Sequence, residues 1–177
     1  MTVAFCIGNG ESRQRYDLSS LRAHGKLYGS NAVHRDTTVD HLVCCDKRMV
    51  REALDHGYTG IVYTREDWML DFRDPKVKLL PVFKWDQYEK WEKTFHWGSG
   101  THSAHLALRH RADVLVVDPR FWVLQFAILF AQFPDTQFFF CQPNIDNWKK
   151  PQEWEAYSNV QYQELSTLTD NLISVTG

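Results

Sequence analysis

Two glycine turns are the segments of this sequence best suited to hold an anionic ligand. Gly8-Asn9-Gly10 follows a short apolar run, and Gly98-Ser99-Gly100-Thr101 precedes a helical stretch. Glycine lets the backbone approach a phosphate or ribose closely, and the free N–H groups of a helix N-terminus favour anions. Each turn also has a simpler interpretation. The first could be a tight turn that needs positive φ, and in the second Ser99 or Thr101 could cap the helix.

Neither turn matches a standard cofactor motif. A dinucleotide fingerprint would have a third glycine where Arg13 stands, and an acid at the end of the second strand, where the sequence has Ser30-Asn31. The second turn lacks the Gly-Lys-Ser/Thr of a Walker A loop. NAD is therefore disfavoured, and no cofactor is assigned with certainty. The two turns predict a nucleotide-like ligand.

Polar residues at several predicted strand ends indicate one shared ligand site. Asn31 follows the second strand with His34, Arg35 and Asp36 close behind it, and Asp46 follows the third strand. Ligands of open α/β sheets bind outside the carboxyl ends of the strands. One such residue alone could be a helix cap, but several at the same edge favour a binding site. The residues so placed are Asn9, Asn31, Asp46 and Ser99.

The histidines and acids form no known catalytic or metal-binding pattern. The sequence has no HExxH motif, no Ser-His-Asp order and no acidic cluster, so no metal site is predicted. His102 and His105 follow the second glycine turn. A lone histidine is more often a surface or core residue than a catalytic one.

Composition narrows the classes of partner and compartment. The 20 basic and 22 acidic residues are interspersed, whereas nucleic-acid binders usually carry a clustered basic face. No apolar run is long enough to span a membrane, and residues 1–7 have no basic start of a signal peptide. The cysteines lack metal-ligand spacing and are predicted to be reduced, which indicates the cytoplasm. They are Cys6, Cys44, Cys45 and Cys141, and the adjacent pair should face opposite sides of a strand.

Strands and helices alternate along the chain with short connections. This order predicts one α/β domain over residues 1–177, with a Rossmann-like, doubly wound, mainly parallel sheet. The predicted strands cover 3–7, 26–29, 41–45, 60–63, 78–82, 114–117, 137–141 and 160–162. The predicted helices cover 47–56, 85–95, 98–111, 118–133 and 164–172. The apolar helix 119–133 and the aromatic stretch Trp85–Trp97 are candidate contacts with a second copy or a virion, unless they are core or lid.

The order of these motifs resembles a Rossmann-like superfamily. The resemblance rests on the GNG turn, YGSNAVHRD at 28–36, HLVCCD at 41–46 and GSGTHSAHLAL at 98–108, within roughly residues 3–117. The superfamily includes bacterial sialyltransferases of the Campylobacter type, central domains of Maf flagellin glycosyltransferases, and archaeal hydroxymethyl-dihydropterin pyrophosphokinases. The sequence is also similar to uncharacterised proteins of marine bacteriophages, which would place it in the host cytoplasm.

The resemblance implies a cytidine nucleotide site and transfer of a sugar from a CMP-sugar-like donor. The ligand contacts it implies are Gly8, Asn9, Gly10, Asn31, Ser99, Gly100 and Thr101. The two glycine turns would hold phosphate and ribose, Asn31 the sugar or base, and Asp46 a hydroxyl or metal-bound water. His102 is the candidate general base.

The sequence departs from the superfamily after the strand 114–117. There the resemblance implies a Gly-x-Asp turn and a long catalytic lid, but Val117 is followed at once by Asp118-Pro119, a typical helix start. This leaves three functions open: a glycosyltransferase-like nucleotide-binding domain, a non-catalytic phage structural or host-interaction protein, and a Mg²⁺-dependent pyrophosphokinase. For the junction itself, an omitted loop and an abrupt helix start both remain open.

Overall fold

The computed structural model describes residues 1–10, 13–14, 16–81, 97–117, 123–141 and 151–176. Eight strands alternate with helices in these ranges. The strands are β1 Val3–Ile7, β2 Lys26–Ser30, β3 His41–Val43, β4 Ile61–Thr64, β5 Val77–Leu79, β6 Val114–Val117, β7 Gln137–Cys141 and β8 Val160–Gln163. The helices are α1 Lys47–Asp55, α2 Glu66–Met69, α3 Ser99–Arg109, α4 Val123–Gln132 and α5 Leu165–Thr176, with 3₁₀ helices at Leu18–Ala23, Asn31–Arg35 and Gln152–Trp154.

All eight strands join one sheet in the order β5-β4-β3-β2-β1-β6-β7-β8. Every neighbouring pair is parallel, which confirms the predicted α/β class with a mainly parallel sheet. The chain builds outwards from β1 to β5 and then returns to add β6, β7 and β8 on the other side of β1. Because the strands are parallel, their carboxyl ends share one edge of the sheet. The order reverses between β1 and β6.

Side chains of β1 alternate between two hydrophobic cores, one on each face of the sheet. Val3, Phe5 and Ile7 contribute to a core that includes buried residues of α1 and α5. Ala4 and Cys6 contribute to the opposite core, which includes α3 and α4. This alternation is what a strand requires when both of its faces are covered.

The four cysteines lie in or beside the two hydrophobic cores. All four are free; Cys6 and Cys44 are buried, whereas Cys45 and Cys141 are partly buried. Cys44 lies in the core that faces α1, and Cys45 packs against the core that faces α3. The prediction that this adjacent pair points to opposite faces is therefore confirmed.

Most predicted elements are present, with shifted ends. The strand predicted over 78–82 is β5, Val77–Leu79, and α1 ends before Gly57, whose φ of +72° suits a residue without a Cβ. The 3₁₀ helices at Leu18–Ala23 and Asn31–Arg35 were not predicted, because short 3₁₀ segments lack the 3.6-residue period. The predicted helix 85–95 and the junction after Val117 lie outside the described residues.

The apolar helix α4 is covered by the chain itself on one side. Phe126, Leu129 and Phe130 are buried, and Trp154 packs edge-on against both phenylalanines. The Trp154 indole also donates a 2.7 Å hydrogen bond to the carbonyl of Val123. Intrachain packing therefore accounts for much of the apolar surface that the sequence analysis considered a contact with another molecule.

Candidate functional site

Three polar groups from separate elements meet at the carboxyl edge of the sheet. The hydroxyl of Ser99, the first residue of α3, donates to Asn31 Oδ1 at 2.8 Å. The same Ser99 oxygen accepts from the backbone N–H of Cys45 at 3.1 Å. Asn31 follows β2 and Cys45 follows β3, so this junction ties two strand ends to the start of a helix. We call these three residues the Asn31–Ser99–Cys45 junction.

Asn31 has an unusual backbone and an incompletely used side chain. Its φ is +48°, in the left-handed region that asparagine tolerates better than most residues. Its Oδ1 is occupied by Ser99, whereas its Nδ2 donates to no other described residue. Asn31 is also partly exposed. The junction therefore fixes the amide group and leaves two N–H donors that a ligand could engage.

The position of α3 against the sheet depends on small side chains. Ser103 accepts a 3.4 Å hydrogen bond from Ser30 and donates a 2.8 Å bond to the Gly100 carbonyl. Ala104 and Ala107 are completely buried, so the helix backbone can lie close to the strands. This packing places the N-terminus of α3 at the carboxyl edge beside Asn31.

The first turn of α3 offers backbone donors and open space. Its N-cap, Gly98, provides no side-chain cap, and the first intrahelical bond runs from His102 N–H to the Gly98 carbonyl. The N–H groups of Ser99, Gly100 and Thr101 therefore have no acceptor within the helix. A Cβ added to Gly100 would meet no atom within 4 Å among the residues described beyond its own helix turn. The Thr101 side chain, by contrast, is fully buried, so at this edge it can offer only its backbone.

The first glycine turn lies at the same edge. Ile7, the last residue of β1, pairs with Gly29 of β2, so Gly8 follows at the level of Ser30. Gly8 and Gly10 are partly exposed and Asn9 is exposed. The common location of this turn and the Asn31–Ser99–Cys45 junction follows from the strand register.

Arg13 connects the first glycine turn to the residues after β2. Its guanidinium donates to the Gly10 carbonyl at 3.1 Å and to Asp36 Oδ2 at 2.6 Å. The Arg13 side chain is 11% exposed and that of Asp36 is 36% exposed, so only the arginine side of this ion pair is shielded from water. The sequence analysis treated Arg13 only as a departure from the dinucleotide motif and missed this connection. An arginine and an aspartate that are 23 residues apart form no local sequence pattern from which their pairing could be predicted.

The two predicted catalytic residues, Asp46 and His102, have structural roles: one caps a helix and the other is buried. Asp46 is exposed and caps α1, with its Oδ1 accepting from the Arg48 N–H at 2.8 Å. His102 is only 3% exposed, and its ring lies 5.9 Å from that of Trp97. A general base must come within hydrogen-bond distance of its substrate. The catalytic roles of both residues therefore stay predictions.

A tryptophan that the sequence analysis did not single out borders the junction. Trp68 Nε1 donates to the Cys45 carbonyl at 3.2 Å, and the cationic groups of Lys47 and Arg65 lie over its ring. Each cation also has an acidic partner, Asp71 for Lys47 and Asp67 for Arg65. The indole is therefore held beside Cys45 by both polar and cation–π contacts.

The thiols near the junction are protonated at neutral pH. Burial raises the pKa of Cys45 to about 11 and that of Cys6 to about 12. It also raises the pKa of Cys44. Because the thiolate is the nucleophilic and metal-binding form, these cysteines are poorly suited to either task.

The opposite edge of the sheet carries an open cavity of about 380 Å³. Its lining includes Arg22, Lys26 and Asp40, at the start of β2. Asp40 Oδ1 pairs with both cations, at 3.2 Å from Arg22 and 3.8 Å from Lys26. These charges already satisfy one another, whereas the Asn31 amide N–H groups at the carboxyl edge donate to no residue that the structure describes. We therefore place the candidate site at the carboxyl edge.

Comparison with known proteins does not identify a family or a function for this site. No family model matches the chain, and no curated protein matches it.

Proposed function

We propose that the protein is a Rossmann-like, doubly wound domain that binds a nucleotide or nucleotide sugar at the carboxyl edge of its sheet. In open α/β sheets, ligands bind at this edge where the strand order reverses. Here the order reverses between β1 and β6. The first glycine turn directly follows β1.

The observation that most supports this proposal is the Asn31–Ser99–Cys45 junction. It holds the Asn31 amide, whose N–H groups donate to no described residue, next to the N-terminus of α3, where the N-cap Gly98 provides no side-chain cap. Backbone N–H groups and the helix dipole favour a phosphate, and an oriented amide can recognise a base or sugar. The empty space at Gly100 gives such a ligand room to approach the backbone.

Ser99 has a different role in this proposal from the one its position in the sequence suggested. Its hydroxyl is engaged with Asn31 and Cys45, and the residue is buried. Ser99 therefore positions Asn31, and Ser99 itself would contact the ligand only through its backbone N–H. Gly8, Asn9 and Gly10 would provide further backbone contacts.

Transfer of a sugar from a CMP-sugar-like donor is the reaction that the family resemblance implies. It remains an additional proposal, because Asp46 is a helix cap and His102 is buried. Binding of the nucleotide part requires neither residue. We therefore propose binding as the primary function and a CMP-like nucleotide as the preferred ligand.

A thermal-shift screen tests this proposal. A ligand at 100 times its Kd stabilises the native state by about 2.7 kcal/mol, which corresponds to roughly 5–10 °C in Tm for a protein of this size. We expect a shift of this order with CMP or a CMP-sugar. UDP, GDP and ATP, each with and without Mg²⁺, complete the screen.

The other nucleotides in this screen distinguish the remaining functions. A shift with ATP that requires Mg²⁺ would favour phosphoryl transfer over the proposed CMP site. Unchanged melting with every nucleotide at millimolar concentration would contradict nucleotide binding and favour a structural or host-interaction protein that kept the fold.

A further inference from the structure

A second cluster of potential ligands lies behind the Asn31 backbone. His34 comes from the Asn31–Arg35 3₁₀ helix, and Glu52 and His56 come from α1 and its C-cap. One nitrogen or carboxylate oxygen from each residue lies within 4.8 Å of the other two. Glu52 and His56 are four residues apart, so a helix presents them on one face.

The imidazole of His34 is oriented as a metal ligand would be. Its Nδ1 is 2.9 Å from the Asn31 carbonyl, and because a carbonyl only accepts, Nδ1 carries the proton. In the neutral ring this leaves a lone pair on Nε2. Histidines that ligate metals usually donate their other ring N–H to a backbone carbonyl or carboxylate in this way.

The free nitrogen of His34 is buried and faces a carboxylate. The side chain is 1% exposed, and Nε2 makes no hydrogen bond to any residue in the described parts of the chain. Glu52 Oε1 lies 3.4 Å from it. In the neutral ring, the lone pair of a buried Nε2 therefore faces a carboxylate oxygen, an unfavourable arrangement unless a cation lies between them. Two ligands about 2.05 Å from a tetrahedral zinc are roughly 3.4 Å apart, which matches this separation.

Arg35 contacts Glu52 without using all of its acceptor sites. The guanidinium donates to Oε1 at 2.5 Å and to Oε2 at 2.7 Å. Each carboxylate oxygen has two lone pairs, so Oε1 can accept from Arg35 and still face a cation on the His34 side. Hydrogen bonds of this kind commonly orient metal-ligating carboxylates.

We propose that His34 Nε2, Glu52 and His56 form a binding site for a zinc-like divalent transition metal. Two imidazoles and one carboxylate are a known zinc ligand set that leaves a fourth position open. His56 is exposed and can turn towards the other two ligands. The metal would tie α1 to the 3₁₀ helix that begins with Asn31. None of these three ligands is a proposed nucleotide contact, although His34 is hydrogen-bonded to the Asn31 carbonyl.

Calorimetric titration of zinc into the chelator-treated protein tests the site. We expect one equivalent per chain, and we expect His56→Ala to weaken binding at least tenfold, because even loss of a second-shell partner costs 10–100-fold. His56 is exposed, so this variant should fold. Glu52→Gln should also weaken binding, and its fold can be checked by circular dichroism. His24→Ala, at the opposite edge of the sheet, is the matched control and should bind as the wild type does.

Three results would overturn the proposal. The first is a wild-type chain that binds no zinc, which would leave His34 and Glu52 paired with each other and not with a metal. The second is His56→Ala binding zinc as tightly as the wild type. The third is a thiolate charge-transfer band when cobalt replaces zinc, which would place the metal on a cysteine. None of these measurements includes a nucleotide, so their outcome is independent of the proposed function.

Discussion

Replacement of Trp154 by alanine is expected to lower the free energy of unfolding by about 3–5 kcal/mol. Trp154 is 1% exposed and contacts the rings of Phe126, Phe130 and Phe140. Its removal would leave a cavity over α4 and free the Val123 carbonyl that accepts its indole hydrogen bond. A loss of this size is a large part of the 5–15 kcal/mol typical of a whole protein.

Urea unfolding measures this loss, and Trp154→Phe is the matched control. Phenylalanine keeps an aromatic ring but lacks the N–H donor, so a smaller loss is expected, closer to the value of one hydrogen bond and a partial cavity. An alanine variant within 0.5 kcal/mol of the wild type would contradict the packing of the Gln152–Trp154 segment on α4.

Acidification is expected to destabilise the protein through His105. Burial, followed by the nearby His102 and Arg109, lowers the pKa of His105 to about 3. The folded state therefore stays unprotonated at a pH where the unfolded chain, with an ordinary pKa of about 6.5, binds a proton. This stability is present above pH 6.5 and is lost as the pH falls towards 3. Between pH 7 and pH 5, His105 alone should remove about 2 kcal/mol.

Comparison of unfolding free energies at pH 7 and pH 5 tests this expectation. His105→Gln should reduce the pH dependence by about 2 kcal/mol, because glutamine does not titrate. Leu108→Ala on the same helix is the control: it should lower stability by a similar amount at both pH values. Equal pH dependence in the wild type and His105→Gln would show that His105 is accessible to protons in the folded state.

The predictable parts of this fold are those with a local signal. β1 and β7 were predicted from continuous apolar runs, and α1 from its N-cap Asp46 and the glycine that follows it. The common edge of Asn31 and Ser99 followed from the parallel-sheet rule alone. These inferences needed only short windows of sequence.

The features that the sequence analysis did not predict depend on contacts between residues that are far apart in the sequence. Ser99 donates to Asn31 across 68 positions, and Arg13 reaches Asp36 across 23. Neither pairing has a spacing that a sequence pattern could show. The i, i+4 spacing of Glu52 and His56 can be seen in the sequence. It indicates a metal site only when the fold brings His34 next to both residues. Similarly, the burial of His102 depends on how α3 packs against the rest of the chain.

Calorimetric binding of CMP to the wild type and to Gly100→Ala tests the central claim most directly. Beyond its own helix turn, a Cβ at Gly100 meets no atom of the described residues within 4 Å, and alanine favours the helix, so the free energy of unfolding should rise by about 0.5 kcal/mol. The added methyl group would occupy the space in which we place the ligand. CMP affinity should therefore fall at least tenfold although the protein is more stable, whereas His24→Ala at the opposite edge should bind as the wild type does. Equal CMP affinity in Gly100→Ala and the wild type, or no CMP binding by the wild type, would contradict the proposed site.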